Sequence, residues 1–131
     1  MTDEFLQWLR EQLDDDERTA RAATDGPWTT MGQRVLDPSP PSNRLGIGMA
    51  VGHAAASADY NETAEHIARH DPARVLREIE AKRQIVDLHG GNLNIDLTFC
   101  SHCEHAMPCP TLLMLALPYA DRPGYRDEWR P

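Results

Sequence analysis

No stretch of this chain is apolar for the ~18–20 residues that a membrane-spanning helix needs, so no transmembrane segment is expected. The first residues, MTDEFLQWLREQLDDDER, lack a basic segment followed by an apolar run, so no secretory signal is expected either. The expectation is a cytoplasmic protein. Positive charge is scarce: 13 Lys and Arg face 21 Asp and Glu, a net charge of −8. Binding to a nucleic-acid backbone draws on a cationic surface that displaces counterions, and an acidic chain does not supply one in general. Cysteine is scarce too. Three is an odd number, and all three lie within ten positions, at Cys100, Cys103 and Cys109. A disulfide framework would use an even count spread along the chain. In a reducing compartment the cluster reads as metal ligation.

Catalytic signatures are also missing. No Ser or Cys sits in a nucleophile elbow, and no carboxylate pair lies in a motif for general acid–base work. Gly46, Gly48 and Gly52 form a glycine-rich stretch, but no Lys-Ser/Thr pair follows as in a phosphate loop. The chain is too short to supply the strand–helix–strand unit of a dinucleotide site.

What is present suits one domain over residues 1–131. The chain is 40% apolar, enough for one modest core. Residues 1–24 read as an N-terminal helix, with Phe5, Leu6, Leu9 and Leu13 as its apolar stripe. Asp14–Glu17 reads as a solvated acidic face. Gly26-Pro27 stops the helix, and Trp28 follows as a core anchor. A small sheet is expected over 27–53: a hairpin around Gly32, a Pro-rich loop at 37–43, and a strand at 45–52. Residues 53–59 read as a connection. A helical pair follows at 61–89, broken at Asp71-Pro72, an N-cap followed by proline at the first helical position. Asn61 or Thr63 is expected near the start of its first helix. Val75, Leu76, Ile79 and Val86 give the second helix its apolar stripe, and Gly90-Gly91 ends it. Residues 92–131 read as an alternating strand at 92–99, a cysteine loop, a short helix at 110–117 and a tail pinned by Tyr119, Tyr125 or Trp129. The fold class is α+β, a small antiparallel sheet packed on three to four helices, with strand 93–99 as a candidate addition to that sheet.

The most specific chemistry is Cys100-Ser101-His102-Cys103, with Cys109 beyond it. Two thiolates at C-x2-C spacing reach one ion from a tight turn, and Cys109 supplies a third at a helix start. His89, at the end of the preceding helix, is the first choice of fourth ligand, with His102 and His105 as local alternatives. Cys100, Cys103, Cys109 and His89 thus form a closed Cys3His set for a structural zinc, a staple for a small core. His66 and His70, four apart, share a helix face and could hold a metal with nearby acids. They lack the Glu after the first His that a zinc-protease helix carries. A nucleic-acid-binding zinc protein would need a clustered basic face. Only Arg69, Arg74, Arg77, Lys82 and Arg83 offer one, interleaved with Glu78 and Glu80.

Three blocks together resemble a family of small proteins of unknown function from actinobacteria and their phages. They are Arg21-Ala22-Ala23-Thr24 with Gly26-Pro27-Trp28; the run His66 to Glu78, HIARHDPARVLRE; and the ending LALPYAD at 115–121 with Tyr125-Arg126 and Glu128-Trp129. A looser similarity links the Gly-Pro-Trp turn, the small sheet and the following helical pair to small accessory proteins of temperate phages. The resemblance implies no activity and no catalytic residues. The expectation that follows is a zinc-stapled binding or accessory module of phage or prophage type. It would act on a host or regulatory protein through protein–protein contacts, without membrane and without nucleic acid. The alternatives are a metal-dependent enzyme using His66 and His70, and a zinc-containing nucleic-acid binder.

Overall fold

Apolar residues at helical spacing wind Thr2–Ala22 into α1. Asp3 and Glu4 in its first turn and Arg21 in its last suit the helix dipole. The computed structural model describes residues 2–38, 54–90 and 98–131. Within them lie four α-helices and a small antiparallel sheet, an α+β architecture. The expected strand at 45–52 and most of the one at 92–99 fall outside the described residues. The chain divides into two compact units, one of residues 17–78 and one of residues 1–16 with 79–131.

In the unit of residues 17–78, β1 (Thr29–Met31) and β2 (Arg34–Leu36) form the hairpin expected around Gly32. Gly32 takes a positive φ of 59° at the first of two loop positions, as a tight type II′ hairpin requires. The third strand, β3 (Ala54–Ser57), corrects the reading of 53–59 as a connection: it pairs antiparallel with β2. Alanine has little strand preference of its own. Here pairing and burial override it, because Ala55 and Ala56 pack with Trp28 against Val35. Helix α2 (Asn61–Arg69) covers this sheet through Ala64 and Ala68, whose small side chains meet Val35 closely. Its N-cap is Tyr60, with no side-chain cap bond, rather than Asn61 or Thr63.

Helix α3 (Pro72–Gly90) starts as its sequence requires. Asp71 is buried, and its Oδ1 accepts the Arg74 N–H at 2.8 Å, an N-cap bond. Its Oδ2 accepts the Trp28 N–H, also at 2.8 Å. A Cβ on Gly26 would lie 2.8 Å from the Ala73 Cβ and 3.0 Å from the Asp71 carboxyl, so only glycine lets the Gly-Pro-Trp turn sit here.

In the other unit, Phe5, Leu9, Leu13, Ile79, Val86 and Leu112 are fully buried and form the core. Leu112 belongs to α4 (Pro110–Ala116), which runs into a 3-10 turn at Leu117–Tyr119. The tail closes on α1. Trp129 stacks edge-on against Phe5 at 5.1 Å, and Trp8 lies 5.2 Å from Trp129 and 5.6 Å from Tyr125. The Trp8 indole N–H donates to the Pro123 carbonyl at 2.9 Å. Arg122 pairs with Asp16, and Arg83 with Asp14 at 2.6 Å, so part of the acidic run on α1 is bound by arginines instead of merely solvated.

Candidate metal centre

The metal-ligand residues are carried by three local structures. His89 lies in the last turn of α3. Phe99–Cys100 and His105–Ala106 form a two-stranded hairpin, β4 and β5, with Cys100 opposite His105. Among the described residues β4 pairs with β5, because the C-x2-C turn folds it back onto the residues that follow. Glu104, just after Cys103, closes that turn with φ 52°. The Met107 N–H donates to the Thr98 carbonyl at 2.9 Å and extends the pairing. Cys109 is the N-cap of α4, and Pro110 occupies the first helical turn.

These pieces bring four ligand atoms together, all within 4.8 Å of one another, from His89, Cys100, Cys103 and Cys109. The His89 Nδ1 lies 3.4 Å from the Cys100 sulfur, 3.3 Å from that of Cys103 and 3.6 Å from that of Cys109. One ring N–H cannot serve three acceptors well, so hydrogen bonding alone does not account for the convergence. The four residues form a group that could hold a metal ion. In a tetrahedron with zinc–sulfur and zinc–nitrogen bonds of ordinary length, a sulfur and a nitrogen are about 3.6 Å apart. Cys100 and Cys109 are fully buried, while Cys103 and His89 are partly exposed.

The electrostatics of the metal-free cluster are uneven. Burial, and then the nearby charge of His102, hold the His89 imidazole below the ordinary histidine value, so it is neutral and ready to ligate. The Thr111 hydroxyl, 3.3 Å from the Cys103 sulfur, is the main cause lowering that thiol. Burial pushes the Cys109 thiol up to about 11. An ion would have to displace its proton. Thr111 is the residue here that sequence reasoning missed. Its position two residues past Cys109, in the first turn of α4, was the available signal.

Neither local alternative to His89 joins the set. His102 is exposed, with its ring 5.4 Å from that of His89, and the Nδ1 of the exposed His105 lies 3.2 Å from the Ala106 carbonyl. His66 and His70 stack on the exposed face of α2 with ring centroids 4.2 Å apart, and the Nδ1 of His70 contacts the His66 carbonyl at 2.7 Å. Among the described residues no carboxylate or cysteine completes a three-ligand group with them. Of the five basic candidates, Arg69 pairs with Glu65, Arg74 with Glu78 and Arg83 with Asp14, while Lys82 donates to the Tyr119 hydroxyl.

No curated protein and no solved structure matches the chain. A family model described as a family of unknown function, DUF6221, matches residues 2–131.

Proposed function

The chain belongs to the DUF6221 family of unknown function, and on that footing we propose that it is a zinc-stapled, non-catalytic binding module. The observation that carries the zinc is the convergence of three sulfurs on one histidine nitrogen. Soft thiolates with one imidazole in a tetrahedral set favour zinc over the hard cations. Four protein ligands leave no position for water or substrate, so the ion's work is structural. It ties the end of α3 to the β4–β5 hairpin and to the start of α4.

With the metal closed off, the module acts through its surface. The proposal extends to protein–protein contacts with a host or regulatory protein in the cytoplasm, in a phage or prophage setting. The support for that setting is the looser similarity of the Gly-Pro-Trp turn, the small sheet and the following helical pair to small accessory proteins of temperate phages. The enzyme alternative gains nothing from His66 and His70, which lack a third ligand among the described residues. The nucleic-acid alternative is weakened because four of its five basic candidates already have protein partners.

Cobalt substitution tests the closed site. Co(II) in place of zinc should give the intense thiolate-to-metal absorption of a tetrahedral sulfur-rich centre. Azide or cyanide should leave that spectrum unchanged. A spectrum that shifts on adding either anion reveals an open coordination position and turns the reading toward catalysis.

A further inference from the structure

The three sulfurs of the centre differ in access. Cys100 and Cys109 have no exposed surface, whereas Cys103 is only partly buried. Its neighbours in the turn, Ser101, His102, Glu104 and His105, are all exposed. A small oxidant arriving from solvent therefore meets Cys103 before either of the others. The other sulfurs are close at hand, since all the ligand atoms lie within 4.8 Å of one another. Cys100 is three positions away in the same turn, so a bond between this pair closes the shortest loop available.

We propose that the centre is a peroxide-sensitive staple, in which Cys103 takes the oxidation, Cys100 closes on it as a disulfide, and the zinc leaves. This rests on the zinc reading above. The oxidant is a hydroperoxide, with hydrogen peroxide as the simplest case. The Cys103 thiolate attacks one peroxide oxygen; a sulfur–oxygen bond forms, the oxygen–oxygen bond breaks, and the departing hydroxide takes a proton to become water. Cys103 is then a sulfenic acid. The Cys100 thiolate attacks the Cys103 sulfur; the sulfur–sulfur bond forms, the sulfur–oxygen bond breaks, and the hydroxide leaves as a second water. Two thiolates have lost two electrons, and one peroxide with two protons has become two waters. Only His89 and Cys109 remain as ligands, too few for a closed tetrahedral site. Thr111 tunes the first step. Its hydroxyl lies 3.3 Å from the Cys103 sulfur, and a hydrogen bond donated there draws electron density from the attacking atom.

The test uses the full chain loaded with zinc, its metal content measured first. A chain that takes up no zinc refutes the zinc reading itself, and with it this inference. With zinc in place, hydrogen peroxide is added and released metal is followed with a chromogenic chelator. Sulfenic acid is trapped with a dimedone-type reagent, and disulfides are mapped by mass spectrometry. Expected are one zinc released per disulfide formed, the trapped adduct on Cys103, a Cys100–Cys103 bond, and recovery of zinc binding after a thiol reductant. Thr111→Val keeps all four ligands and removes the hydroxyl that lies 3.3 Å from the Cys103 sulfur, so it should release zinc faster than the unaltered chain. Zinc retained at peroxide levels that oxidise free cysteine would overturn the proposal. A first adduct on Cys100 or Cys109, a disulfide to Cys109, or an unaltered rate in Thr111→Val would do so equally.

Discussion

Asp71 shows how much one carboxylate can organise. One oxygen caps α3 through the Arg74 N–H, and the other holds the Trp28 N–H, in a side chain only 6% exposed. The first role was legible, because Asp-Pro before an apolar period is a helix start. The second was not, since Trp28 lies 43 positions upstream and local pattern says nothing of such a partner. Asp71→Ala should cost about 2–3 kcal/mol, combining a lost cap with a stranded backbone donor. Urea denaturation measures this, and a loss below about 1 kcal/mol would mean that water serves both donors as well. Cys109 carries a prediction with a definite sign. Burial pushes its thiol up to about 11, so the metal-free fold favours the protonated form. That preference stabilises the metal-free fold fully below the ordinary thiol range and is lost as pH rises toward about 11. Zinc needs the thiolate and competes with that proton. Its affinity should therefore climb from pH 7 to pH 9, while His89, held below its ordinary value, adds no competing proton in that range. Competition against a chromogenic chelator at each pH reads this out, and an affinity independent of pH contradicts it.

At the scale of elements, helices were the easier part to read. The stripe Phe5, Leu6, Leu9 and Leu13 is buried on α1 as its spacing implies. α2 and α4 end within one residue of expectation. Strands were harder. The alanines of β3 carry no strand signature, and only pairing with β2 makes them one. β4 belongs to its own hairpin because the cysteine turn reverses the chain within a few residues. The tail was legible through its aromatics: Tyr119 and Trp129 are buried, and Tyr125 packs on Trp8 and Trp129. Trp8, which completes that cluster, lies beside the stripe rather than in it and was not singled out. The buried Tyr125 hydroxyl finds no partner among the described residues. Tyr125→Phe should therefore leave stability unchanged or raise it, by up to about 1 kcal/mol, since an unsatisfied polar atom is removed without loss of ring packing. A clear fall in melting temperature would show that the hydroxyl is hydrogen-bonded after all.

Across the whole molecule, the sequence blocks that carry the family resemblance are contact-making segments. Gly-Pro-Trp meets the HDPAR run at Asp71 and Ala73 in one unit. The ending closes on Phe5 and Trp8 in the other. The candidate centre was legible because C-x2-C, Cys109 and a histidine at a helix end are a chemical signature that survives ignorance of the fold. His89, the first choice from its place at a helix end, is the histidine that the fold brings to the three cysteines, while His102 and His105 stay outside the group. A zinc held there would link residues 89 to 109 through their ligands and stiffen a small core that otherwise rests on apolar packing. The most direct measurement of the central claim is elemental mass spectrometry on untagged protein purified without chelator, paired with a thermal melt before and after chelation. One zinc per chain is expected, and its removal should lower the melting temperature by about 10 °C or more, the shift that roughly 3 kcal/mol produces in a chain of this size. Protein free of metal, or zinc whose removal leaves the melt where it was, would contradict the account.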